Sequence, residues 1–153
     1  MNIKRERTGR LMAFVCLLIM ASSCPGFGPP AAAANDDLVI IANPELSGNS
    51  IKQRDLQRIY LGKQTQWKDD TSIVPVMLKS GPLYDEFIEG YLDRSVQRFV
   101  TYWRQMVFTG KGIPPKSFAS ESDLVDFVAR TPGAVGFAST SSVTTEVRVI
   151  PVD

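Results

Sequence analysis

The chain has 153 residues, with 17 Lys and Arg against 16 Asp and Glu, no histidine and two cysteines. Without histidine it lacks the commonest metal ligand and the commonest general base. Both cysteines, Cys16 and Cys24, lie in the first 24 residues, so the remainder has neither disulfide nor thiolate chemistry to call on.

Lys4, Arg5, Arg7 and Arg10 precede an uninterrupted apolar run from Leu11 to Ala21. A basic start followed by an apolar run too short to span a bilayer predicts a secretory leader. Two cleavage sites compete: after Ala34, where Ala32-Ala33-Ala34 gives a small-residue pattern, or before Cys24, where Ala21-Ser22-Ser23-Cys24 resembles a lipoprotein box. Residues 1–34 therefore read as leader and linker, and 35–153 as one domain of 119 residues, enough for a single core. The leader holds four basic residues and one acidic one, which leaves the domain 13 basic and 15 acidic. So mildly acidic a body is a poor match to nucleic acid, which is bound through a basic face.

Leu38 to Ile41 is a continuous apolar run ending at Asn43-Pro44, as expected of a strand buried on both faces. Ser50 with Gln53 three residues on predicts a capped helix over Ile51–Leu61, buried through Leu56, Ile59 and Tyr60 and stopped by Gly62. Trp67 reads as a bulky core anchor beside the Asp69-Asp70 turn. Ile73, Val74 and Val76 then form a strand, Lys79-Ser80-Gly81-Pro82 a tight turn, and Leu83, Phe87, Ile88 and Tyr91 the buried face of a second helix. Turns of this kind present backbone N–H groups at the positive end of a helix dipole, where anions are commonly held.

A third helix starts at Arg94-Ser95, with Val96, Phe99, Val100, Trp103, Met106 and Val107 on the helical repeat. Gly110 to Ser120, with Gly112 and Pro114-Pro115, reads as a loop whose Lys111 and Lys116 are solvated. Ser120 with Asp123 opens a fourth helix through Arg130, packed by Leu124, Phe127 and Val128. Ala134 to Ala138 is a small-residue strand, Ser139 to Ser142 a loop, and Val147 to Val152 a last strand. Gly133 and Gly136 signal the close approach of another backbone or a ligand. Alternation of strands and helices predicts a small α/β sandwich with a mainly parallel or mixed sheet.

Ile41-Ala42-Asn43-Pro44, Asp55 to Lys63, Trp67, Ile73-Val74-Pro75-Val76, Ser80-Gly81 and Thr131 to Phe137 occur in the order found in substrate-binding proteins of phosphate ABC transporters. The chain resembles the short, single-lobe members of that group from Leu38 to Val152. The resemblance implies a three-layer α/β/α sandwich with a small mixed, mainly parallel sheet, like one lobe of a type II periplasmic binding protein. It further implies a periplasmic location, a phosphate or similar oxyanion ligand, an ABC permease or other envelope protein as partner, and no cofactor. In such proteins phosphate lies between lobes, on a Ser-Gly-Thr helix start with an upstream Arg and an acidic residue. Ser80 and Gly81 match, whereas Pro82 replaces the Thr, and Val76 and Leu78 stand where the Arg and the acid are expected.

The candidate anion site is therefore Lys79, Ser80 and Gly81, with Ser47, Ser139 and Thr140 from neighbouring loops. The competing structural reading makes Ser80 and Ser50 helix caps and Ser139 to Ser142 a solvated turn. An alternative function is an envelope interaction module, which calls for an apolar patch beside Ser80. An enzyme is disfavoured: Asp85, Glu86 and Glu89 read as acids on a helix exterior, and the chain holds no metal-ligand spacing or nucleotide loop.

Overall fold

The computed structural model describes residues 36–153; the expected leader, the Cys24 box and the Pro/Gly/Ala linker lie outside them. In chain order the elements are β1 (Leu38–Ala42), α1 (Gln53–Tyr60), β2 (Val74–Leu78), α2 (Pro82–Glu86), a π-helical turn (Phe87–Tyr91) and α3 (Val96–Phe108). They continue as β3 (Lys116–Phe118), α4 (Glu121–Arg130), β4 (Ala134–Ser139), a 3₁₀ turn (Thr140–Ser142) and β5 (Arg148–Val149).

The five strands form one sheet in the order β3-β2-β4-β1-β5. β2 runs parallel to β3 and to β4, while β1 is antiparallel to both β4 and β5. Four strands thus point one way and β1 alone is reversed, giving the mixed, mainly parallel sheet expected. β4 is buried at all six positions, and β1 at all but Val39, because both lie inside the sheet with helices over them.

Gly136 fixes the α4 layer. A Cβ there would stand 2.8 Å from both Leu124 and Val76, so the missing side chain lets α4 lie close on the sheet. Leu124, Val125 and Val128 fill that interface. Phe137, next in the strand, faces the opposite layer and stacks on Phe87 at 4.1 Å, with Tyr60 edge-on to Phe87 at 4.7 Å. Gly133 has φ +76°, and a Cβ there would strike the Ser72 carbonyl at 2.1 Å, so the close approach signalled by the sequence is that of the Ser72 backbone.

Pro75 sits inside the sheet without an N–H to donate. The fully buried Tyr60 hydroxyl reaches the Val76 carbonyl at 2.8 Å and the Val135 carbonyl at 3.2 Å, filling the gap beside the proline. Burial raises the phenol's pKa, so it stays a neutral donor. Trp67 is half-buried and donates its indole N–H to the Gly133 carbonyl at 3.0 Å, which makes it the anchor expected.

Four local expectations are corrected. α1 begins two residues late, capped by Lys52 without a side-chain bond; Ser50 instead donates to the Asp153 carboxylate and ties down the chain's end, where Ile51 bridges Val152. The Gly110–Ser120 segment contains β3, an edge strand too short and too polar to leave a pattern. Lys116 is not simply solvated: its ammonium lies 4.0 Å from the centre of the Phe127 ring. On α3 only Phe99 and Trp103 are buried, while Val100 and Val107 face solvent.

Candidate functional site at the strand ends

Parallel strands deliver their following turns to one edge of a sheet. Val74 pairs with Ala134, and five residues further along each strand lie Lys79 and Ser139. β1 runs the other way and starts at this edge, so Asp36 and Asp37 join them; β3 contributes Ser120 and Glu121 at the start of α4. The structure therefore brings Lys79, Ser80 and Gly81 to the same edge as Ser139 and Thr140.

Ser47 is not with them. It follows β1, whose exit is bonded to the start of β4 through Asn43 N–H and the Ala134 carbonyl at 3.0 Å. Ser47 lines a cleft of about 180 Å³ with Ser50, Trp67 and Asp153 at the opposite edge. No residue near Ser47 signals this, because it depends on β1 being antiparallel to its neighbour.

The turn after β2 keeps its donors. Gly81, not Ser80, is the residue before the first turn of α2, with φ +116° and ψ 172°, and it offers no side chain. The Lys79 N–H is spent on the Phe118 carbonyl, and Pro82 has none. Among the described residues the N–H groups of Ser80 and Gly81 and the Ser80 hydroxyl donate to no protein acceptor. The only ion pair among the described residues joins Arg130 and Asp126 on α4, so the Lys79 ammonium has no carboxylate partner among them. The reading of Ser80 as a structural cap does not hold.

At the turn after β4 the donors are spent. Ser139 is buried, and its N–H and hydroxyl both donate to one oxygen of Glu121, at 2.8 and 2.7 Å. Ser141 donates its N–H and hydroxyl to Asp36, at 3.0 and 2.7 Å, and these bonds hold the Asp36 carboxyl below its ordinary value. The Thr140 N–H and hydroxyl both reach the Asp37 carbonyl. Sequence reasoning missed Glu121 and Asp36; their only signal is acidic residues flanking a Ser/Thr loop across a sheet not yet assembled.

Among the described residues the exposed large apolar side chains are Val100, Val107, Phe108, Ile113 and Val149. None of them is in the Ser80 turn or in the helix that follows it, where an interaction module was expected to show its patch. No group of three or more His, Cys, Asp and Glu among the described residues is arranged to hold a metal ion.

The fold is that of a periplasmic-binding-protein lobe, with a candidate ligand edge at the ends of its parallel strands. Solved structures sharing it include phosphate-transport proteins. An ABC-type phosphate transport receptor from Vibrio cholerae matches at 22% identity and TM-score 0.53, over 76% of this chain and 46% of that one. A putative phosphate ABC transporter substrate-binding protein with bound phosphate, from Clostridium perfringens, matches at 21% identity and TM-score 0.62, over 77% and 45%. PstS from Borrelia burgdorferi matches at 18% identity and TM-score 0.59, over 77% and 47%. At these identities the likeness is one of fold, and the chain spans less than half the length of each of these proteins. No family model and no curated protein matches the chain.

Proposed function

We propose that residues 35–153 form a non-enzymatic solute-binding domain that takes phosphate or a similar small oxyanion at Lys79, Ser80 and Gly81. On this reading residues 1–34 export it to the periplasm, and it serves an ABC permease. The observation that carries the reading is the turn after β2: two backbone N–H groups, a hydroxyl and an ammonium with no described partner, on a fold shared with phosphate-transport proteins. Ser139 and Thr140 stand in a supporting role, holding the neighbouring turn rigid through Glu121 and Asp37. Ser47, at the far edge, has no part in it.

The site is open, so its affinity is low. A solvent-facing helix start contributes about 0.3–1 kcal/mol of dipole attraction, and a total near −4 kcal/mol is a Kd of about 1 mM. Thermal unfolding with inorganic phosphate or sulfate tests the proposal. At about ten times the Kd, ligand binding adds roughly 1.4 kcal/mol and raises Tm by roughly 5 °C. A Tm unmoved by tens of millimolar of either anion, beyond the change given by chloride at equal ionic strength, would sink the proposal.

A further inference from the structure

From Arg94 to Ser120 the chain has five cations, at 94, 98, 104, 111 and 116, and no acid. The rest of the domain has eight basic residues against 15 acidic ones. The composition of the whole therefore hides a charge-polarised molecule, with its positive pole on α3 and the turn after it. Arg94 and Arg98 border a surface cleft with Glu89 and Asp93, which moves the uncompensated charge toward the C-terminal end of α3.

That end is also where the apolar surface is exposed. α3 buries Phe99 and Trp103, and beside that stripe runs a second one, Val100, Arg104, Val107, Phe108, at spacings of four, three and one. At 100° per residue these side chains share a flank of the helix turned away from the core. Phe108 is 92% exposed, and Ile113, beyond the Thr109-Gly110-Lys111-Gly112 turn, is 90% exposed. Phe108 stands out from the surface, Ile113 projects from the rim of a cleft of about 300 Å³ that it shares with Trp103 and Pro114, and Lys111 lies between the two. A pocketed protein interface buries its anchors in a complementary hollow, whereas projecting apolar tips interleaved with Lys and Arg are the pattern of a surface that lies in a lipid interface.

We infer that the free flank of α3 and the turn after it dock on an anionic lipid bilayer surface. Phe108 and Ile113 enter the boundary between headgroups and acyl chains, and Arg104 and Lys111 meet lipid phosphates. Val100 and Val107 lie along the membrane plane. The acidic remainder of the domain is repelled by the same surface, which fixes the orientation of docking. No helix among the described residues is long and apolar enough to cross a membrane, so this is a peripheral contact.

Hydrogen exchange of the full chain on lipid vesicles tests it, because a local readout separates this face from any binding by the N-terminal segment. On phosphatidylglycerol vesicles the amides of residues 107–113 slow by about tenfold or more, and on phosphatidylcholine vesicles they do not. The slowing disappears in about 0.5 M salt, where the screening length falls to roughly 4 Å. A Phe108→Asp, Ile113→Asp double variant loses it while keeping its Tm, since neither side chain is buried. Unchanged exchange at 107–113 with the protein bound to the vesicles overturns the inference. So does equal slowing on both lipids, or slowing produced only by an acidic protein.

Discussion

The two turns at the strand-end edge use similar chemistry to opposite ends. After β4, the Ser139 and Ser141 donors close on Glu121 and Asp36, so the protein's own carboxylates occupy the place of an anion. After β2, the Ser80 and Gly81 donors and the Lys79 ammonium have no such partner among the described residues. A hydroxyl next to a backbone N–H is thus not in itself a binding site. What decides is whether the fold brings an internal acid within about 3 Å of it, and for that α4 must start at the same edge.

Removing the internal anion breaks the comparison most severely. In Glu121→Ala the buried N–H and hydroxyl of Ser139 lose their acceptor, at a cost of about 1–3 kcal/mol in urea unfolding. Sulfate should restore part of that loss, since a free oxyanion can take the vacated position; a variant equally unstable with and without sulfate would show that the turn is not a latent anion site. Ser80→Ala sharpens the contrast from the other side. Its hydroxyl has no protein partner, so stability changes by less than about 0.5 kcal/mol, while the phosphate-dependent rise in Tm shrinks. A loss of stability without any change in the phosphate response would return Ser80 to a structural role.

The smallest effect is in pH. The Asp36 carboxyl is held below its ordinary value of 3.8 by the Ser141 hydroxyl and N–H. A carboxylate with a depressed folded-state pKa stabilises fully above its unfolded value and loses that contribution as pH falls through the folded one. Asp36 is solvent-exposed, so the direct check is its carboxyl titration by NMR. Ser141→Ala should move the midpoint up toward 3.8, and a midpoint unmoved by the substitution would remove this half of the contrast.

Phe127 and Lys116 show where pattern reading stops. Phe127 lies on the helical repeat of α4 and reads as core, yet it is half-buried and carries the Lys116 ammonium. Lys116 itself falls in a Gly/Pro segment that gives no sign of β3, because three residues at a sheet edge need only one neighbour and no apolar run. On α3 the sequence lists six apolar residues with helical spacing, of which the layer beneath fully covers Phe99 and Trp103, partly covers Val96 and Met106, and leaves Val100 and Val107 exposed. Val100 and Val107 lie toward the margin of the stripe, and only the width of the layer below leaves them outside.

The sequence by itself determined the order of most elements, the buried strand β1, the small-residue strand β4, the Ser120 cap and the close backbone approach at Gly133, while at Gly136 the approach is by the Leu124, Val76 and Val128 side chains. Each of these rests on interactions within a few residues or on an apolar run that must be covered. Tertiary structure alone decided which serines share an edge and which are already bonded. Strand direction carried Ser47 away and brought Asp36 in, and the start of α4 supplied Glu121, 18 residues from the serine it holds. Hydrogen bonds of that reach leave no local trace, because their partners meet only when the sheet has formed.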